Sequence, residues 1–213
     1  MAFYLKAKEA DIIEKHYDKY LTEAGAKADS MIWHEIVDDG LHIDLVHYLP
    51  TKEFPYHVFG TIGMSAYKMP NVVPYRNIEL LMFLPEDWQV DSKAIMDEKW
   101  YWPIRLLKMV ARMPYECDSY LTVGHTISQD EKFTKFADCT DMSCGLVAFP
   151  TWLNYDFFTL KYGLLPRKKV NFLCLTAITK DEYNQIDKNG AQSFLEDVLG
   201  AGDRDDLMVR NHR

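Results

Sequence analysis

The segment Ile78-Glu79-Leu80-Leu81-Met82-Phe83-Leu84 constrains the fold more than any other stretch of the chain. It is a nearly continuous apolar run, stopped at once by Pro85-Glu86-Asp87. Strands that bury both faces read this way, so the run is predicted as a central strand of a sheet. The rest of the chain has to supply that sheet's other strands and its covering helices. At 213 residues with 48% hydrophobic content, it is long enough for one self-sufficient core without a disulfide or metal staple.

The flanking patterns fit this frame. Residues 8–22 carry Ile13, Tyr17, Tyr20 and Leu21 on one helical stripe, and Gly25 ends it. Residues 31–37 and 41–48 alternate around Asp38-Asp39-Gly40, which predicts a β-hairpin. Residues 56–64 read as a strand closing on Gly63. Pro103 is placed as the first residue of a helix whose buried stripe is Ile104, Leu107, Val110 and Ala111, with Pro114 ending it. Strands are expected over 120–127 and 145–149, and Phe157–Lys161 is expected to pair with Val170–Ile178. Thr179-Lys180-Asp181-Glu182 is a capping box that starts a helix, Asn189-Gly190 interrupts it, and residues 192–199 form a second piece. Without strict βαβ alternation, this is an α+β fold with a mixed, mainly antiparallel sheet and packed helices. No repeat, low-complexity tract or linker divides the chain, so residues 1–213 are expected to form one domain.

The chemistry is sparse. Net charge is −8, which repels nucleic acid, and the one compact basic run, Arg167-Lys168-Lys169, reads as a solvated loop tip. No apolar stretch suits a membrane span, and the start, Met1-Ala2-Phe3-Tyr4-Leu5-Lys6, lacks a signal core, so a cytoplasmic chain is expected. His34, His42 and His47, with Glu35 and Asp44, are candidates for a metal site on the first hairpin. Alternation alone already explains them as a polar strand side. Cys117, Cys139 or Cys144 with His125 is a second candidate pair, at no recognised spacing. Cys174 reads as a small buried hydrophobe. Tyr67 breaks a G-x-S-x-G motif at Gly63-Met64-Ser65, and no phosphate-binding glycine loop occurs. The expectation is no catalytic residue, no metal and no cofactor.

Six blocks in order carry a family resemblance. Phe59-Gly60-Thr61-Ile62-Gly63-Met64-Ser65 resembles the strand-and-turn block of the Suppressor of fused domain. Glu79-Leu80-Leu81-Met82-Phe83 resembles its following Glu-Leu strand. Trp102-Pro103-Ile104, Leu107 and Ala111-Arg112 resemble its Trp-Pro helix, and Gly124-His125 its later glycine. Val170–Ala177, Asp181-Glu182 and Asn189-Gly190 with Phe194-Leu195 resemble its closing strand and helices. Asp206-Leu207 and Arg210 resemble its tail. The match spans roughly residues 30–210.

The resemblance implies an α+β domain like the amino-terminal half of the eukaryotic member, an adaptor that grips a transcription-factor peptide. It further implies a non-enzymatic protein-binding module, since short stand-alone bacterial members are associated with immunity to polymorphic toxins. The alternatives are a regulatory adaptor for an endogenous protein and a hydrolase or metal enzyme using the His-rich hairpin. Met113 and His125 stand where the eukaryotic member carries a peptide-gripping Tyr and an acidic residue, which implies a partner face with different ligand chemistry. Gly63, Met64, Ser65, Trp102, Pro103, Gly124, Asn189 and Gly190 are the structural positions of the motif.

One further candidate surface comes from charge. Glu86, Asp87, Asp91, Asp97 and Glu98 surround Trp88, with Lys93 the one counter-charge between residues 85 and 98. Acids around an aromatic anchor suit a basic partner such as a toxin domain. The competing reading is a solvated loop with its tryptophans turned into the core.

Overall fold

The computed structural model describes residues 3–33, 40–70, 74–164, 167–200 and 208–211. Helix α1 (Ala7–Glu23) precedes strands β1 (Lys27–Trp33), β2 (Asp44–Leu49), β3 (Tyr56–Ile62) and β4 (Ile78–Pro85). Helix α2 (Glu98–Glu116) follows, then β5 (Thr126–Ser128), β6 (Met142–Ala148), β7 (Thr159–Tyr162) and β8 (Lys168–Thr179). Helices α3 (Lys180–Asn189) and α4 (Ala191–Gly200) come last. The sheet runs β1-β2-β3-β4-β8-β6-β5, with β7 also paired to β8. Every pairing is antiparallel except β4 with β8.

The apolar run is the middle strand of that order, and its composition follows from its position. Ile78, Leu80, Met82 and Leu84 face the core layer under α2, where Leu107, Val110 and Trp102 lie. Leu81 and Phe83 face the opposite layer, formed with Ile13, Tyr17 and Leu21 of α1. A strand covered on both faces has no polar alternation to show. A third cluster packs Ile186, Phe194 and Leu195 of α3 and α4 against Cys144, Leu146 and Ile178. Among the described residues no helix is long and apolar enough to cross a membrane.

Several boundaries differ from expectation. β1 begins at Lys27 and pairs Lys27 with Leu49 and Trp33 with Leu45, while residues 34–39, including the turn acids, lie outside the described part. Helix α2 starts five residues before Pro103, because the Asp97 side chain accepts from the Lys99 N–H at 2.9 Å and caps it. Pro103 therefore sits inside the helix and leaves the Lys99 carbonyl without its N–H. The Cys139 thiol turns toward that oxygen at 3.8 Å. Pro114 likewise lies within the last turn rather than ending the helix. Of residues 120–127, only the end is strand. Gly124 turns the chain there, its N–H donating to the Val147 carbonyl at 2.8 Å. Phe157 and Phe158 belong to a short 3-10 turn, and β7 begins after them. The capping box at Thr179 and the break at Gly190 occur as predicted.

Leu107 is fully buried in the layer beneath α2. Leu107→Ala is expected to cost about 2–5 kcal/mol, since it loses transfer energy and leaves a cavity. Chemical denaturation measures this directly. A loss below about 0.5 kcal/mol would contradict the packing of α2 on the sheet.

Candidate functional site

β3 ends in a turn whose geometry admits no side chain. Gly63 has φ +130°, and a Cβ there would lie 2.1 Å from the His42 carbonyl oxygen. Three residues earlier, a Cβ on Gly60 would meet the Tyr17 ring at 2.7 Å, so the strand's glycine admits Tyr17. Tyr17 Oη then donates to the Thr61 carbonyl at 3.2 Å.

Glu79 of β4, fully buried, clamps this turn. Its Oε1 accepts from Gly63 N at 3.0 Å, Ser65 N at 3.1 Å and Ser65 Oγ at 2.6 Å. Its Oε2 accepts from Thr61 Oγ1 at 2.6 Å. Burial pushes the carboxyl above its ordinary value, and the four donors pull against that shift. Both carboxylate oxygens are occupied by the protein itself, so the group acts as a brace between β3 and β4. Gly63, Met64 and Ser65 are thus brought together with the one acid of the central strand. The sequence signal was a charged residue inside an apolar run.

A second buried polar group joins β1, β2 and β3. His47 Nδ1 donates to Asp29 Oδ2 at 2.9 Å, and His47 Nε2 lies 2.9 Å from His57 Nδ1. The His57 ring also hydrogen-bonds the Glu86 backbone. Filling all three contacts requires three ring hydrogens, and two neutral imidazoles carry only two. A third would place a charge in an interior where His47 stacks on Phe59 at 4.4 Å. Burial, followed by the neighbouring His47, pushes His57 down to about 4, and burial lowers His47 as well.

The described members of the hairpin candidate do not converge. His47 turns inward to this chain, His42 pairs with Asp44 at 3.1 Å, and His34 and Glu35 lie outside the described residues. No group of three or more metal-ligating side chains occurs among the described residues. Cys144 and Cys174 are buried, and burial raises both thiols, Cys144 to about 12. Cys117 is exposed and Cys139 half-buried.

Of the expected partner residues, Glu86 and Asp87 are exposed at the end of β4. Trp88 is not. It is 5% exposed, its Nε1 donates to the Trp100 carbonyl at 2.9 Å, and it packs against Trp100 and Trp102. Its indole finds more apolar contact in the core under α2 than at the loop surface, which removes it as a surface anchor. Trp102 is fully buried, donates to Asn211 Oδ1 at 2.9 Å and so ties the C-terminal tail to α2. Met113 lies half-buried in the last turn of α2. His125 lies in the turn before β5, its ring 5.1 Å from that of Tyr120, and burial lowers it. β5 is an edge strand, so this turn opens onto a sheet edge. Asn189 and Gly190 sit between α3 and α4.

A family model described as Suppressor of fused protein (SUFU) matches residues 39–210. The chain belongs to the Suppressor of fused family. Its fold is also that of a Suppressor of fused homologue from Neisseria gonorrhoeae FA 1090, with TM-score 0.66, 14% identity and 96% of each chain covered. A Sufu–Fu complex structure matches at TM-score 0.59 and 17% identity, over 95% of this chain and 87% of the other. Drosophila Suppressor of fused matches at TM-score 0.57 and 16% identity; 95% of this chain covers 48% of that one. No curated protein sequence matches the chain.

Proposed function

We propose that this Suppressor of fused family member is a non-enzymatic protein-binding module, and that its partner is a basic toxin domain that it neutralises as an immunity protein. Family membership over residues 39–210 carries the reading, together with a structural neighbour crystallised as a Sufu–Fu complex. The site chemistry supports it. Glu79, His47 and His57 are buried and, with the half-buried Asp29, are spent on holding strands together, which is a framework role. The partner's basic character rests on the net charge of −8 and on the exposed acids Glu86 and Asp87. Met113 in the last turn of α2 and His125 in the turn before β5 are the further contact candidates. The Sufu–Fu complex also favours an adaptor for an endogenous protein as a second reading.

The test begins with recovery of the partner on the intact chain as bait. A toxin domain silenced on binding supports immunity, and a regulatory protein of the same cell supports the adaptor. Glu86→Lys with Asp87→Lys is then expected to slow association about tenfold at low salt and much less at high salt. Stability should hardly change, because exposed charges contribute little. Association rates equal to the unmodified protein at every salt concentration would remove this acidic corner from the interface.

A further inference from the structure

Basic side chains gather at one cleft of this acidic chain. A cleft of about 610 Å³ opens where the N-terminal segment, the 3-10 turn after Gly63 and the start of β8 meet. Lys68, Arg76, Arg167, Lys168 and Lys169 line it, and Glu9 is the one carboxylate among its lining residues. Lys168 is engaged by Glu9. Lys68, Arg76, Arg167 and Lys169 have no carboxylate partner among the described residues. Arg76 is pre-positioned by its Nε–H, which donates to the Met69 carbonyl at 2.8 Å.

An apolar pocket of about 360 Å³ adjoins this cleft, walled by Tyr75, Phe149, Leu153, Tyr155 and Phe158. The Lys169 ammonium stands 5.7 Å above the Tyr75 ring, so the two hollows share a border. Phe149 is 39% exposed and Tyr155 is 86% exposed. Large rings left in water beside a pocket mark interaction surfaces.

We propose that the cleft and pocket together dock an acidic protein segment bearing one apolar anchor residue. The anchor fills the space between Tyr75, Phe149 and Phe158, and flanking carboxylates lie against Arg76, Arg167 and Lys169. A bidentate guanidinium suits a carboxylate, and an aromatic-walled pocket suits a buried anchor. Dispersed carboxylates fit better than a compact polyphosphate. The cations come from three separate segments, no glycine loop offers converging N–H groups, and Glu9 stands among them. This surface is separate from the acidic corner. Arg76 precedes β4 and Glu86 follows it, so roughly 26 Å of strand lies between them. The inference therefore survives if the basic-toxin partner fails, and that partner survives if this inference fails.

The probe is a fluorescein-labelled peptide, Gly-Asp-Glu-Asp-Phe-Glu-Asp-Glu-Gly, titrated with the full chain and followed by anisotropy. Saturable binding that weakens with salt is expected. Arg167→Glu with Lys169→Glu, both exposed, should weaken it at least tenfold, and so should replacing the peptide's Phe by Ser. Should that double variant melt abnormally, Lys68→Glu on another wall of the cleft is expected to weaken binding about threefold. No saturation below about millimolar peptide, or equal affinity for the charge-reversed variants, overturns the proposal. Displacement of the peptide by equal concentrations of ATP also overturns it, since the cleft would then be a phosphate site.

Discussion

Glu79→Ala is expected to lower stability by about 3–5 kcal/mol, enough to deplete folded protein at growth temperature. The substitution removes four hydrogen bonds from one buried carboxylate. It strands the Gly63 and Ser65 N–H groups and the Thr61 and Ser65 hydroxyls in an interior without replacement partners. Gly63 holds a left-handed φ of +130° beside the His42 carbonyl, where no side chain fits, so the turn depends on its bonds to Glu79. Glu79→Gln should be milder, at about 1–2 kcal/mol. Its amide oxygen can take the three contacts that converge on Oε1, and its amide nitrogen faces Thr61 Oγ1. Thr61 Oγ1 already accepts from Leu80 N at 2.9 Å, so its own hydrogen must turn away. Urea denaturation of the three proteins measures both losses. An alanine variant within about 1 kcal/mol of the unmodified protein would show that the acid is not the brace of this turn.

That brace shows what the sequence carries and what it hides. The central strand was legible because burial on both faces leaves a run that no exposed segment can imitate. The α1 stripe of Ile13, Tyr17 and Leu21 and the Thr179–Glu182 capping box were legible because their chemistry is local. Glu79 stood in plain view, but its partners lie on another strand. His57 was opaque for the same reason. β2 and β3 pair His47 with Phe59, which makes His57 a diagonal neighbour of His47, and that register cannot be read from either strand alone. The start of α2 was misplaced because Pro103 is an ordinary first-turn residue, whereas here a capping Asp97 starts the helix earlier and a thiol faces the freed carbonyl. Trp88 carried the acidic stretch's apolar signal, and its burial leaves Glu86 and Asp87 as the exposed part of that candidate. The basic cleft was not legible, because Arg167, Lys168 and Lys169 meet Lys68 and Arg76 only in the folded chain.

Stability is expected to fall by up to about 3 kcal/mol between pH 6.5 and pH 4, with the Asp29–His47–His57 group as the main source. In the folded chain burial holds His57 near 4, whereas in the unfolded chain it returns to its ordinary 6.5. Between those values the unfolded state binds more protons, so acid favours it. The contribution is complete above the unfolded value and lost progressively as pH falls to the folded one. His47, His16 and His125 are lowered by burial as well and push in the same direction. Glu79 opposes them. Its raised folded pKa contributes stability that is present in acid and lost as pH rises through that value. The bare profile therefore mixes signs, and a variant has to isolate the histidine. His57→Phe keeps a ring beside His47 and titrates nothing, so its loss between pH 6.5 and pH 4 should be smaller by most of the predicted amount. Denaturation midpoints at half-unit intervals decide the matter. Identical slopes for the two proteins would show that His57 carries its proton equally well folded and unfolded, and that the buried pair accommodates the third hydrogen its geometry leaves room for.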